Sequence, residues 1–167
     1  QVLDKSGNAN HTADQGTSTA RPTWTANQQN TLSGAVFDGG DFLTLPSALY
    51  GIPQGDNTVI VVAKRASEDG TLDLPLVMGE SGVNNGYYLL YSSTAGEVIF
   101  RNSQSVGGSP NATGNTNTDF NILRGRREGT TQAPSINNST EVTNTNATDP
   151  TTVDIGYIGQ TASGSLF

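Results

Sequence analysis

Residues 87–101 are Tyr-Tyr-Leu-Leu-Tyr-Ser-Ser-Thr-Ala-Gly-Glu-Val-Ile-Phe-Arg, and they contain two short apolar runs. The first run is residues 87–91 and the second is residues 97–101. In the second run, Val98 and Phe100 share one side of an extended chain. The opposite side has Glu97, Ile99 and Arg101. This alternation is typical of a β-strand with one side in water. The first run is also predicted to be a strand, and the Asn85-Gly86 pair before it is a strong signal for a hairpin turn.

Further short apolar runs lie on both sides of this stretch, each bounded by turn residues. They are residues 35–37, 42–45, 58–63, 74–78, 120–123 and 153–157. The glycines of Asp38-Gly-Gly-Asp41 predict a tight turn that joins 35–37 to 42–45 in a hairpin. Residues 58–63, Thr-Val-Ile-Val-Val-Ala, are nearly all β-branched, which predicts a central strand covered on both faces.

The remaining segments are polar and are predicted to be loops. They are residues 1–34, 102–119 and 137–152. No helical periodicity of useful length occurs in the chain. Roughly eight short strands with turn signals between them predict an all-β protein, an antiparallel β-sandwich or jelly roll. The length of 167 residues fits a single domain.

Charge and composition exclude several classes of partner and of chemistry. The formal net charge is −7, so the chain as a whole lacks the positive surface that nucleic acid or anionic lipid requires, and neither is an expected partner. There is no cysteine, which excludes disulfides and thiolate chemistry. No apolar run is long enough to span a membrane.

Five motifs occur along the chain in a characteristic order. They are Asp4-x-Ser-Gly-Asn-x-Asn-His11, Arg21-Pro-Thr-Trp24, residues 36–45 (Val-Phe-Asp-Gly-Gly-Asp-Phe-Leu-Thr-Leu), Val61-Val-Ala-Lys64 and Ile155-Gly-Tyr-Ile-Gly159. In order and spacing they resemble the laminin-G-like family of the concanavalin A-like lectin/glucanase superfamily, in its bacterial and phage branch. The resemblance covers nearly the whole chain and implies a concanavalin A-like jelly roll.

The resemblance also indicates what surrounds this domain of residues 1–167. Members of this branch have a strand before the Asp4 motif and a closing strand after the position of Phe167, and neither is present in this sequence. A sandwich without its first and last strands exposes unpaired backbone groups at its edges. We therefore expect either a fragment of a longer polypeptide, or edge strands that pair with neighbouring chains of the same assembly.

Catalytic residues are not expected. Glucanases of this superfamily, by resemblance, place alternate carboxylates on one strand as Glu-x-Asp-x-Glu, and this sequence has no such triplet. His11 is the only histidine, and it lies in a loop motif of the family, so a structural role is expected for it. We expect no enzyme activity.

Aromatic residues and arginines are the candidates for ligand binding. Trp24, Tyr87 and Tyr91 are possible platforms for a sugar ring, because the C–H face of a pyranose stacks on an aromatic ring. The alternative for each aromatic residue is packing in the core. Arg101 has planar donors that suit a carboxylated or sulfated glycan, with a solvated surface role as the alternative.

Calcium is the one metal that the sequence leaves open. Hard oxygen ligands from the first loop and from the predicted hairpin turn could converge, and several relatives bind calcium at loop ends. The candidate ligands are Asp4, Asn8, Asn10, Asp38 and Asp41. Hydrogen bonds that stabilise the loops would explain the same residues. No other cofactor is expected.

The expected function is a non-catalytic module for surface adhesion or binding, with a surface glycan or receptor as its partner. Display on a phage virion, as a capsid fibre, decoration or tail protein, is the first expectation for its location. A secreted or extracellular location is the alternative, in which the chain is an accessory carbohydrate-binding domain of a bacterial polysaccharide-active or cell-surface protein. The resemblance alone supports these expectations, since a fold does not fix a function.

Overall fold

The computed structural model describes residues 1–65, 73–80, 86–92, 96–103, 111–113, 119–145 and 152–159. The regular secondary structure of the described residues consists of short 3₁₀ turns at Ser18–Ala20 and Ser47–Leu49 and of β-strands, which loops connect. The strands are β1 (Thr23–Gln29), β2 (Leu32–Val36), β3 (Leu43–Thr44), β4 (Asn57–Ala63), β5 (Asp73–Gly79), β6 (Gly86–Tyr91), β7 (Glu97–Ser103), β8 (Asn111–Thr113), β9 (Asn121–Glu128), β10 (Thr131–Ile136) and β11 (Ile155–Ile158). Among these residues, no helix has the length and hydropathy to cross a membrane.

The strands form three antiparallel sheets, which confirms the predicted all-β antiparallel sandwich. The largest sheet has the strand order β3-β11-β5-β6-β7-β8, and the second has the order β10-β9-β4. The third sheet is the hairpin of β1 and β2. The three-stranded sheet packs on the six-stranded sheet mainly through β9 and β10 against β7.

The core lies between these two sheets. Tyr87, Leu89 and Phe100 are fully buried from the six-stranded sheet, and Leu123 and Ile136 are buried from the other side. The rings of Tyr87 and Phe100 meet edge to face, with their centroids 5.0 Å apart. Since alternate residues of β7 face this core, the predicted alternation of Val98 and Phe100 is confirmed.

Strand β6 is buried on both faces. Tyr87 and Leu89 face the core between the sheets, whereas Tyr88 and Leu90 belong to a second apolar cluster with Val77 on the outer face of the six-stranded sheet. The apolar sequence of β6 therefore reflects its place near the middle of the six-stranded sheet.

The prediction that residues 58–63 form a central strand was wrong in its placement. The residues do form β4, but β4 is at the end of the three-stranded sheet and pairs only with β9 in the part of the chain that the structure describes. Val59 and Val61 pack on the core, whereas Ile60 and Val62 are 62% and 60% exposed. Apolar composition alone does not determine where in a sheet a strand lies.

Three further segments differ from prediction. Residues 35–45 do not form a hairpin, because β2 pairs with β1 and β3 pairs with β11. Residues 23–34, predicted as loop, form most of the β1–β2 hairpin despite their polar side chains. Residues 111–113, within the predicted loop 102–119, form β8 against β7. The turn expected at Asn85-Gly86 lies partly outside the described residues, since only Gly86 is described.

Candidate functional site

The β1–β2 hairpin positions the exposed tryptophan. Trp24 pairs across the hairpin with Ala35, whose small side chain leaves the indole uncovered. The hairpin turn is Asn30-Thr31, and both residues have positive φ, 47° and 65°. A two-residue turn of this kind matches the twist of the strands that it joins. Trp24 is 65% exposed, which is unusual for so large an apolar side chain.

Trp24 lines a cleft of about 510 Å³, which we call the Trp24 cleft. Segments that are distant in sequence contribute to it: the amino-terminal residues, a loop, β1, β2 and β3. The lining residues are Gln1, Val2, Asp14, Gln15, Gly16, Arg21, Pro22, Trp24, Ala35 and Leu43. The cleft therefore combines an aromatic and aliphatic surface with a few polar groups.

Arg21 is the basic group of the Trp24 cleft. Its Nε donates a hydrogen bond to the carbonyl oxygen of Gln15 at 2.6 Å, and one Nη donates to the carbonyl oxygen of Gly16 at 3.5 Å. These bonds hold the loop and the guanidinium together while Arg21 remains exposed. In the described part of the chain, Asp14 is the only carboxylate that lines the cleft, and its side chain is 84% exposed.

Tyr87 and Tyr91, the other predicted sugar platforms, lie in the core. They are 0% and 1% exposed, so a sugar ring has no access to either ring. The Tyr87 hydroxyl donates to Oδ1 of Asn57 at 2.7 Å, and the Tyr91 hydroxyl donates to the carbonyl oxygen of Ala63 at 2.8 Å. Burial raises the pKa of both hydroxyls, that of Tyr91 to about 12. Of the two alternatives for these residues, core packing is the one the structure shows.

Arg101, the predicted ligand-binding arginine, lies away from the Trp24 cleft. It is half-buried on the outer face of the six-stranded sheet, where its guanidinium carbon is 5.9 Å from the ring centre of Tyr88. Such a cation–π contact is a common structural role for arginine. The structure therefore does not bring Trp24 and Arg101 into one site.

The five candidate calcium ligands lie in two loops. Both oxygens of Asp4 accept hydrogen bonds, from the backbone N–H and hydroxyl of Ser6 and from the N–H of Asn10. These bonds, that of the Ser6 N–H first, lower the pKa of the Asp4 carboxyl. In the second loop, Asp38 accepts from the Gly40 N–H, and Asp41 accepts from the Asp38 N–H.

These loop hydrogen bonds use the oxygens that a calcium ion would take. Within the described ranges, no group of three or more His, Cys, Asp or Glu side chains is placed to hold a metal ion. The carboxylates fit loop closure, and calcium binding by Asp4, Asn8, Asn10, Asp38 and Asp41 stays a prediction. His11 belongs to the same loop, where its Nδ1 accepts a hydrogen bond from the Asp4 N–H at 2.9 Å.

Trp24 is predictable from the sequence as a possible platform, but the cleft around it is not. The signal for Arg21 was present, because Arg21-Pro-Thr-Trp24 places a basic and an aromatic residue three positions apart. The contributions of residues 1–2 and 14–16 and of Leu43 depend on tertiary contacts. No local pattern could have predicted them.

The fold matches known structures, although the sequence does not. No protein-family model matches this sequence, and no curated protein matches it significantly. A solved structure of Ruminococcus gnavus IT-sialidase CBM40 bound to alpha2,3 sialyllactose superposes with a TM-score of 0.58 and 14% identity, over 87% of this chain and 77% of that chain.

Two further structures of Ruminococcus gnavus IT-sialidase CBM40 give the same result. One is described without a ligand, and its TM-score is 0.58. The other is bound to alpha2,6 sialyllactose, and its TM-score is 0.57. Both are 14% identical and cover 87% of this chain and 78% of theirs. At this identity the likeness shows the fold, a β-sandwich shared with these carbohydrate-binding modules. The narrower resemblance to the laminin-G-like branch stays a prediction.

Proposed function

We propose that the chain is a non-catalytic glycan-binding module and that the Trp24 cleft is its binding site. The exposed indole of Trp24 in an open cleft is the observation on which the proposal rests. An exposed aromatic ring that lines a cleft, rather than standing alone on a flat surface, is typical of a ligand-binding site.

The size and chemistry of the cleft suit a short oligosaccharide. Small-molecule sites have volumes of about 300–1,000 Å³, and this cleft, at about 510 Å³, lies within that range. The Trp24 ring offers a flat apolar face to the C–H side of a sugar. Asp14, Gln15 and Arg21 offer charged and amide groups to its hydroxyls.

We further propose that the preferred glycan is acidic. Arg21 has the one basic side chain among the described residues that line the cleft, and its planar guanidinium can donate to a carboxylate. Sialyllactose, the sugar in two of the matched carbohydrate-binding modules, has such a carboxylate. The comparison supports this preference only through the shared fold.

The cleft supports binding without hydrolysis. Glycosidic cleavage ordinarily uses two carboxyl groups on opposite sides of the scissile bond, and among the described residues Asp14 is the only carboxylate that lines the cleft. The matched structures are carbohydrate-binding modules, although they come from a sialidase. Asp14→Asn is expected to change only the affinity for the glycan. Hydrolysis of any bound glycan by the unmodified chain would contradict the proposal of binding without catalysis.

The single tryptophan makes a direct binding assay possible. Because the chain has one Trp, tryptophan fluorescence excited at a wavelength that tyrosine does not absorb reports on the proposed site alone. Titration with sialyllactose and with lactose is expected to shift the emission, sialyllactose at the lower concentration. Trp24→Ala is expected to weaken binding at least tenfold, which is a loss of about 1.4 kcal/mol of binding free energy. Calorimetry measures the affinities of both proteins.

Leu32→Ala is the matched control for Trp24→Ala. Leu32 is 68% exposed on the same hairpin but does not line the cleft, so its removal should leave affinity unchanged. Arg21→Gln should reduce the preference for sialyllactose over lactose. No fluorescence change with any member of a broad glycan array would refute the proposal, and so would equal losses in Trp24→Ala and Leu32→Ala.

The location of the module is a separate proposal. We place it on the surface of a phage virion, on the basis of the acidic balance of −7 and the laminin-G-like resemblance in its bacterial and phage branch. The alternative is an accessory domain of a secreted polysaccharide-active protein, which the origin of the matched modules in a sialidase favours. A peptide map of the native polypeptide distinguishes the two, because a catalytic domain in the same chain would support the accessory domain.

A further inference from the structure

Among the described residues, strand β4 leaves one edge of the three-stranded sheet unpaired. The sheet has the order β10-β9-β4, and in the described part of the chain no strand lies beyond β4. The opposite edge is partly covered, because Gln132 of β10 exchanges two backbone hydrogen bonds with Asn144. The unpaired N–H and C=O groups of β4 can therefore accept another strand.

β4 lacks the features that usually protect an edge strand. It has seven residues, none charged and none proline, and its pairing with β9 has no bulge. Ile60 and Val62 are more than half exposed, and Ile122, opposite Val62 on β9, is 50% exposed. A long apolar edge of this kind is a template for strand addition.

Hydrogen bonds from the six-stranded sheet also fix both ends of β4. The hydroxyl of Tyr87 binds the side chain of Asn57 at one end of β4, and the hydroxyl of Tyr91 binds the carbonyl oxygen of Ala63 at the other end. Both tyrosines come from the six-stranded sheet. A strand fixed at both ends loses little conformational entropy when a partner pairs with it.

The sequence of β4 and its flanks is complementary to itself. Antiparallel pairing of two copies about a two-fold axis at Ile60 places Ile60 opposite Ile60 and Thr58 opposite Val62. The same register places the exposed Asp56 of one copy opposite the exposed Lys64 of the other, once on each side of the axis. Apolar side chains and opposite charges thus meet across the interface.

We propose that β4 is the interface of a symmetric homodimer, in which two copies join their three-stranded sheets into one continuous sheet. The second copy is the occupant that the charge pattern favours, because Asp56 and Lys64 flank the strand at the spacing that its own antiparallel copy requires. This inference is independent of the glycan proposal, since no residue of β4 lines the Trp24 cleft.

Charge variants at Ile60 test both the dimer and its register. Because Ile60 faces its own copy in the proposed pairing, Ile60→Lys and Ile60→Glu each place like charges together. Each variant alone is expected to raise the dimer dissociation constant at least about tenfold. An equimolar mixture of the two variants is expected to restore the dimer. Sedimentation equilibrium over a wide range of concentrations measures all three samples and the unmodified chain.

The controls separate loss of pairing from loss of folding. Circular dichroism should show native sheet content for both variants, because Ile60 is exposed. Leu32→Lys, an exposed position on the separate β1–β2 sheet, should leave the dimer unchanged. An unmodified chain that sediments as a monomer at every concentration would overturn the proposal. So would a dimer that tolerates Ile60→Lys, or a mixture that stays monomeric.

Discussion

Gly125 is the position where a single methyl group tests the packing of the two sheets. It lies in β9, between Val59 of β4 and Pro134 of β10, and faces the six-stranded sheet. A Cβ added there would lie within 2.6 Å of three atoms of the Phe100 ring, far inside van der Waals contact. Phe100 is 0% exposed, so its ring cannot move away into solvent without disturbing the core.

Gly125→Ala is therefore expected to destabilise the chain by about 2 kcal/mol. Over-packing of a buried site costs roughly 1–3 kcal/mol, and a clash with a ring falls in the upper part of that range. The alanine also restricts the backbone of the unfolded chain, which stabilises the folded state by roughly 0.4–1 kcal/mol and offsets part of this cost. Urea unfolding followed by circular dichroism gives the free energy of unfolding.

Two further variants make this prediction specific. Gly51→Ala is the control, because a Cβ at Gly51 meets no atom within 4 Å, and its free energy of unfolding should stay the same or rise slightly. Phe100→Leu removes the ring, so in a double-mutant cycle it should recover at least about 1 kcal/mol of the cost of Gly125→Ala. If Gly125→Ala is as stable as Gly51→Ala, or if the cycle shows no coupling, β7 and β9 do not pack as described.

Three other predictions concern the hairpin turn and two titrating contacts. Thr31→Gly should raise the free energy of unfolding by about 1 kcal/mol, because a β-branched residue at positive φ is strained in this type of turn; a thermal melt measures it. The free energy of unfolding should fall between pH 10 and about pH 12, since the unfolded chain then loses the Tyr91 proton that the folded chain retains. Urea titrations across this range should show a smaller fall for Tyr91→Phe. In acid, the hydrogen bond from Arg126 holds the pKa of Glu141 below its usual value of 4.5. The Glu141 contact therefore contributes its full stability above pH 4.5, and this contribution is lost as the carboxyl is protonated at lower pH. Glu141→Gln should remove this contribution from an acid titration of the free energy of unfolding.

The sequence predicted those parts of the fold that depend on local alternation. Val98 and Phe100 were assigned to one face of a strand, and both are buried. The short apolar runs with turn signals between them indicated an antiparallel all-β chain, as observed. The β1–β2 hairpin was missed because its strands are polar, with most of their residues exposed, so no apolar pattern indicates them.

The candidate site was only partly predictable, because burial depends on neighbours that are distant in sequence. Trp24, Tyr87 and Tyr91 were equal candidates as platforms, and only their tertiary surroundings separate the exposed indole from the two core tyrosines. The ion-pair partners of the arginines were unpredictable for the same reason. Arg124 and Arg126 bind Glu141, at 2.8 Å and 2.9 Å, through a segment that was predicted to be a polar loop.

Two places where the structure departs from the usual distribution of residues are the two places for which we propose binding. In a consistent fold, large apolar side chains are buried and edge strands are protected. Trp24 breaks the first rule, and Ile60 and Val62 of β4 break both. Elsewhere the large aromatic and aliphatic side chains of β6 and β7 follow the rule closely. Since the Trp24 cleft and β4 share no residue, binding at the Trp24 cleft and pairing at β4 can occur in the same molecule. A dimer would then present two clefts, which raises its affinity for a surface of repeated glycans without changing either site.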